Sequence, residues 1–166
     1  MKILILSDTH GNFLAVKRVL TAQDDADMVI HLGDGEGEMN AMLRMFPELP
    51  EKLHYVCGNC DSGVVVPGTK QEDIIDLPYG HRILAAHGHS YLRRGSFDYM
   101  LEDARRLGCD IVLYGHTHYR HNTYQDGLYI INPGSLTLPR DGKPPCYAVI
   151  SISEKGILAS HVDLLV

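Results

Sequence analysis

Short apolar runs recur along the chain, and five of them end in the same kind of polar cluster. The runs are KILIL (2–6), DMVIHL (27–32), LHYVC (53–57), RILAA (82–86), DIVLY (110–114), LYIIN (128–132), CYAVISI (146–152) and ILASHVDLL (157–165). Runs without polar alternation predict strands buried on both faces, as in α/β sheets covered by helices. Helical patterns separate the early runs. Asn12 can cap a helix through about Leu20, with Phe13, Val16, Val19 and Leu20 on one stripe. A second helix is predicted from Glu36 to Phe46, closed by Pro47, with Met39, Met42 and Met45 facing the core. A third runs from Ser96 to Leu107, closed by Gly108. Later strands follow one another with turn signals at Asp126-Gly127, Asp141-Gly142 and Lys155-Gly156, which predict hairpins. The expected architecture is α/β: two sheets packed face to face with helices outside.

The polar clusters constrain function. Strand one is followed by Ser7-Asp8-Thr9-His10-Gly11-Asn12, and the later ends by Gly33-Asp34, Gly58-Asn59-Cys60-Asp61, His87-Gly88-His89 and Gly115-His116-Thr117-His118. In α/β folds ligands bind at the carboxyl ends of strands, so these clusters are expected to converge on one edge. Taken singly, each polar residue reads as an ordinary loop residue; five such clusters at one strand end do not. Carboxylate, amide oxygen and imidazole make a mixed O/N donor set, suited to Mn, Fe, Zn or Ni. The i, i+2 spacing of Asp8/His10 and His116/His118 lets both side chains of an extended segment point one way. Asp8, His10, Asp34, Asn59, His87, His116 and His118 make seven donors, too many for one zinc-like ion. Two ions sharing a carboxylate would account for them.

Composition excludes several classes. A length of 166 residues suits one domain over 1–166, and 45% hydrophobic residues supply its core. No run of eighteen apolar residues occurs and MKILIL is too short for a signal peptide, so the expectation is a cytoplasmic protein without a membrane span. Four cysteines are too few and scattered for a disulfide scaffold. A formal charge of −6 and the lack of tryptophan argue against general nucleic-acid binding. They leave room for a phosphate-bearing substrate if cations are supplied locally.

Taken in order, D-T-H-G-N, G-D, G-N-C-D, H-G-H, G-H-T-H and N-P-G-S resemble the calcineurin-like metallophosphoesterase superfamily. They are closest to its small single-domain bacterial and archaeal phosphodiesterases, the group related to a retromer subunit. The resemblance implies a four-layer αββα sandwich of two mixed sheets flanked by helices. It implies two divalent ions, Mn first, with Fe, Zn or Ni as alternatives. Asp8, His10 and His118 would hold one ion, Asn59, His87 and His116 the other, and the Asp34 carboxylate would bridge. The implied activity is hydrolysis of a small phosphoester, a diester in this group, by an activated water attacking in line. Two ions about 4 Å apart lower the pKa of such a water and clamp the phosphoryl oxygens. Asp34 and His87 are the catalytic residues under this resemblance, and a homo-oligomer is an open option.

One position departs from the pattern. Many members carry His where this chain has Cys60, so the proton donor to the leaving group is unassigned among Cys60, His89 and a water on the ions. Two competing functions are a non-catalytic scaffold of the same fold and a Cys57-x-x-Cys60 oxidoreductase. The scaffold predicts eroded ligands, and the oxidoreductase needs a thiolate at a helix N-terminus. His31 reads as a core residue, and His54, His81, His121 and His161 lie outside the clusters. Asn132-Pro133-Gly134-Ser135 reads as a turn that frames the site. Arg93, Arg94 and Arg140 are either phosphate contacts or solvated loop charges.

Overall fold

The computed structural model describes residues 1–164 and builds two five-stranded sheets. The first has the order β10-β9-β1-β2-β3, from β1 (Lys2–Leu6), β2 (Met28–His31), β3 (Leu53–Tyr55), β9 (Cys146–Ser153) and β10 (Gly156–Asp163). The second has the order β4-β5-β6-β8-β7, from β4 (Glu72–Asp76), β5 (Arg82–Ala86), β6 (Ile111–Tyr114), β7 (Arg120–Gln125) and β8 (Leu128–Pro133). β1, β2 and β3 run parallel, as do β5, β6 and β8. Their carboxyl ends therefore share an edge. The remaining pairings are antiparallel, so both sheets are mixed.

Side-chain alternation along the strands sorts the core into three apolar layers. Ile3, Ile5, Ile83, Ala85, Ile111 and Leu113 meet between the sheets. Leu4 and Leu6 point the other way, onto Val16 and Val19 of α1 (Phe13–Ala22) and Met39 and Met42 of α2 (Glu36–Met45). Leu84 and Val112 likewise face Tyr91 of α4 (His89–Arg93) and Met100 and Ala104 of α5 (Asp98–Arg106). Each fully buried isoleucine or leucine stabilises by about 1.5–3 kcal/mol relative to exposure. Helices, sheet, sheet and helices give the four layers.

Several local expectations change. The edge strands β4 and β7 and the short helices α3 (Leu49–Lys52) and α4 are additions. β4 buries alternate residues only, and β7 is polar throughout, so neither carries an apolar run. Asp141-Gly142 is not a hairpin turn, because the loop between β8 and β9 carries the chain from the second sheet to the first. Met45 is 44% exposed while Met39 and Met42 are buried. A spacing of three falls about 60° short of a full turn, so the third methionine has rotated off the stripe. Leu165, within the last predicted strand, lies outside the described residues. Among the described residues no helix is long and apolar enough to cross a membrane.

Candidate metal centre

The five polar clusters meet at the shared strand edge, and their backbone is unusual. Asp8, His10, Asp34, His116 and His118 all have φ between 41° and 64°. Among the described residues only two other non-glycine residues, Tyr79 and Asp126, share that left-handed conformation. The i, i+2 pairs thus converge not because their segments are extended, as expected, but because each loop reverses at its candidate donor residue. Such positions cost on the order of 1–3 kcal/mol each and persist only where surrounding contacts fix them. The contacts are present. Asp8 N donates to Gly33 O (3.0 Å), His10 N to Asp34 O (3.0 Å) and Gly115 N to His87 O (3.1 Å). The loops also pack too closely for side chains between them. A Cβ on Gly58 would overlap Asp34 Oδ1, and one on Gly115 would overlap Ser7 Oγ.

The donors face one another. Asp8 is fully buried; its Oδ2 accepts from Ser7 Oγ (2.6 Å) and His116 N (3.0 Å). Its Oδ1 has no hydrogen-bond partner and lies 3.2 Å from His118 Nε2 and 3.9 Å from His10 Nε2. Asp34 Oδ1 accepts from Cys60 N (2.8 Å), which leaves Oδ2 between His87 Nε2 (3.5 Å) and His10 Nε2 (3.9 Å). His87 Nδ1 donates to Leu32 O (2.6 Å) and His118 Nδ1 to Leu138 O (2.7 Å). With Nδ1 occupied by a carbonyl, each ring turns its Nε2 lone pair to the centre, as metal-binding histidines do. Asn59 Oδ1 lies 3.1 Å from His87 Nε2.

Three groups have ligand atoms within 4.8 Å of one another: Asp8, His10 and His118; Asp8, Asp34 and His87; and His10, Asp34 and Cys60. His116 falls outside these groups. Its ring stands edge-on to His87, with centroids 5.1 Å apart. Burial alone would raise the Asp8 carboxyl, but His118, His87 and Ser7 hold it below the usual carboxylate range. Asp8 in turn pushes His118 upward. A proton and a divalent cation would thus compete for the same His118 lone pair. An unpartnered buried carboxylate oxygen facing two imidazole nitrogens, His10 Nε2 and His118 Nε2, which themselves meet at 3.3 Å, fits a divalent cation, since leaving such an oxygen unsatisfied is costly.

Asp61 supports the centre, and its part in it does not appear in the sequence reading. Burial would raise this carboxyl, yet hydrogen bonds from Gly58, Asp34 and Tyr55 hold it low. Oδ2 accepts from Asp34 N (2.8 Å), Gly58 N (2.8 Å) and Tyr55 OH (2.9 Å), and Oδ1 from Gly35 N (3.1 Å) and Glu36 N (3.2 Å). One carboxylate therefore locks the loop of Asp34, the loop of Asn59 and the start of α2. The final D of G-N-C-D was its only signal. The N-P-G-S segment frames the site as expected: Asn132 Nδ2 donates to Gly115 O (2.9 Å), and Ser135 Oγ donates to Asp8 O (2.7 Å).

The cysteines do not form a redox pair. All four are free; Cys57 is buried and Cys60 exposed. Although the residue is exposed, partial desolvation of its sulfur, then the neighbouring Asp34, pushes the Cys60 thiol up to about 11, the reverse of an activated thiolate. His89 opens α4. Its Nδ1 is buried without a partner, and burial, His87 and Arg93 lower its basicity. His31 is a core residue, bonded to Thr9 Oγ1 and Gly33 N at 3.2 Å each. His54, His81, His121 and His161 each take a partner away from the centre: Asp73, Asp110, Tyr114 and Asn132 O.

Residues 1–155 match the calcineurin-like phosphoesterase superfamily domain. The chain belongs to that superfamily. It is 30% identical to the probable metallophosphoesterase YsnB of Bacillus subtilis (strain 168), across 98% of this chain and 91% of that one. It is 29% identical to the phosphodiesterase YfcE of Escherichia coli (strain K12), across 96% of each. The structure of a conserved uncharacterized protein from Streptococcus pneumoniae TIGR4, a predicted phosphoesterase, superposes with a TM-score of 0.79 at 27% identity, over 98% of this chain and 88% of that one. Vps29 of Entamoeba histolytica, in complex with zinc, superposes with a TM-score of 0.71 over 98% and 99%; at 22% identity that likeness concerns the fold alone.

Proposed function

We propose that this chain is a metal-dependent phosphodiesterase that holds two divalent ions and hydrolyses a small phosphodiester. The observation that carries the reading is Asp8 Oδ1, buried and unpartnered beside two imidazole nitrogens. Asp8, His10 and His118 would hold one ion, and Asn59, His87 and His116 the other. Asp34 would bridge through Oδ2, the oxygen that faces both His10 and His87. Retention of every ligand type argues against the scaffold alternative. The diester preference is supported by the likeness to YfcE.

When bound, the ions, Mn first, supply Lewis acidity to the phosphoryl oxygens and lower the pKa of the attacking water. The chain's own residues orient them and hold protons. Leu32 O and Leu138 O fix the His87 and His118 tautomers, and Asp61 fixes the Asp34 and Asn59 loops. Cys60, protonated at neutral pH, stands on the wall of the cleft beside Asp34; His89 does not line that cleft. Cys60 is therefore the better placed of the two side chains to give a proton to the leaving alcohol. Hydrolysis of bis(p-nitrophenyl) phosphate tests the function. Activity should disappear on chelation, return with Mn, and exceed that on p-nitrophenyl phosphate. A chain that takes up metal but hydrolyses neither ester refutes it.

A further inference from the structure

Two clefts flank the ligand cluster. The first, about 160 Å³, lies against Glu36, Glu38 and Asp61. Their carboxylates are engaged inward: Glu36 with Ser62 N and Gly63 N, Glu38 with Thr9 Oγ1 and Gly11 N, and Asp61 as described. The second, about 170 Å³, runs from Asp34, Asn59 and His118 to Leu138 and Arg140. Among the described residues Arg140 is the one arginine or lysine on the wall of either cleft.

Arg140 also lacks a counter-ion. Among the described residues its guanidinium enters no ion pair, whereas Arg82, Arg94, Arg105, Arg106 and Arg120 do; Arg18, Arg44 and Arg93 are also outside the ion pairs, but none of them lines either cleft. The adjacent carboxylate, Asp141, is already taken by Arg120 Nε (2.8 Å) and Lys143 N (3.1 Å). The backbone that carries Arg140 is fastened to a proposed ligand at two points. Arg140 N donates to His118 O (3.1 Å), and Leu138 O accepts from His118 Nδ1 (2.7 Å). Ser135 Oγ accepts from Leu138 N (2.8 Å), and Thr137 Oγ1 donates to Thr9 O (2.8 Å). An unpaired guanidinium is thus held at the mouth of a cluster that would receive an anion, in a chain of net charge −6. Leu138, 51% exposed, supplies an apolar wall beside it.

Resting on the phosphodiesterase reading, we propose that Arg140 binds a non-bridging oxygen of the substrate phosphate while Leu138 packs against one of its ester groups. The substrate class is then a small phosphodiester with an apolar or aromatic ester group on the Arg140 side. Guanidinium presents paired donors to phosphate oxygens, and lysine presents only a point charge.

The test compares the Mn-loaded parent with Arg140→Ala, Arg140→Lys and Leu138→Ala. Inorganic phosphate binding by calorimetry is measured beside hydrolysis of bis(p-nitrophenyl) phosphate. Arg140→Ala should weaken phosphate binding and raise KM by a similar factor, about tenfold or more, with metal content and Tm unchanged. Arg140→Lys should fall between the two. Leu138→Ala should raise KM for the diester without changing phosphate affinity. Phosphate affinity and KM within twofold of the parent in Arg140→Ala would overturn the proposal, as would a loss of metal large enough to explain the defect. If the parent turns over no diester, the function fails; phosphate calorimetry still decides the role of Arg140.

Discussion

Replacing Asp61 with asparagine removes one charge and leaves the size of the side chain almost unchanged. The five hydrogen bonds divide as three onto Oδ2 and two onto Oδ1. An asparagine keeps one acceptor oxygen, which goes where three donors point. Its NH2 group then faces Gly35 N and Glu36 N, donor against donor. Two hydrogen bonds to a charged group are lost at about 1.5–3 kcal/mol each, and an anion leaves the N-terminus of α2 at about 0.5 kcal/mol. Asp61 is only partly buried, so water recovers some of this. We expect a net loss of about 3 kcal/mol, a large share of the stability of a domain this size. Urea unfolding of metal-free protein measures it directly. Because the same carboxylate positions Asp34 and Asn59, Mn affinity should fall as well, read by calorimetry below the unfolding midpoint. Asp61→Asn within 1 kcal/mol of the parent, with unchanged Mn affinity, would refute this account of how the loops are held.

Three further outcomes follow. Burial pushes His31 down to about 4, against about 6.5 in an unfolded chain, so the unfolded state binds the extra proton as pH falls. Its contribution is complete above pH 6.5 and is lost toward pH 4, about 2 kcal/mol by pH 5; in metal-free His31→Gln the slope between pH 7 and 5 should shrink by that amount, and an identical slope counts against it. Diesters with alkyl leaving groups should turn over much more slowly than aryl diesters, because an alkoxide needs a proton to leave and an aryl oxide does not; equal rates would show an efficient proton donor. Cys57→Ser should keep kcat and metal content while losing on the order of 1 kcal/mol of stability; loss of activity with fold and metal intact would reopen the dithiol reading.

How much was legible in the sequence depended on burial and range. Strands covered on both faces, such as Ile3–Leu6 and Ile83–Ala86, announce themselves as apolar runs, because both side-chain directions enter a core. The edge strands Glu72–Asp76 and Arg120–Gln125 do not, because a solvent face accepts polar residues. The candidate donor types and their order were legible, since each cluster is local. Their backbone was not: nothing in D-T-H or G-H-T-H distinguishes an extended segment from one reversed at Asp8, His10, His116 and His118. Asp61 was illegible, and Arg140 could not be told apart from Arg93 and Arg94, for a related reason. The first acts through donors from two stretches, 34–36 and 55–58, and the second stands out by its place on the cleft wall and because Arg120, twenty residues earlier, has taken Asp141.

The central claim is that two divalent ions share the Asp34 carboxylate. Equilibrium titration with Mn, followed by metal counting on the same sample, tests it most directly in the parent and in Asp34→Asn. The account predicts two ions per chain in the parent, at most one in the variant, and loss of diester hydrolysis with the second ion. One ion per chain in the parent, or two in Asp34→Asn with activity retained, would contradict it.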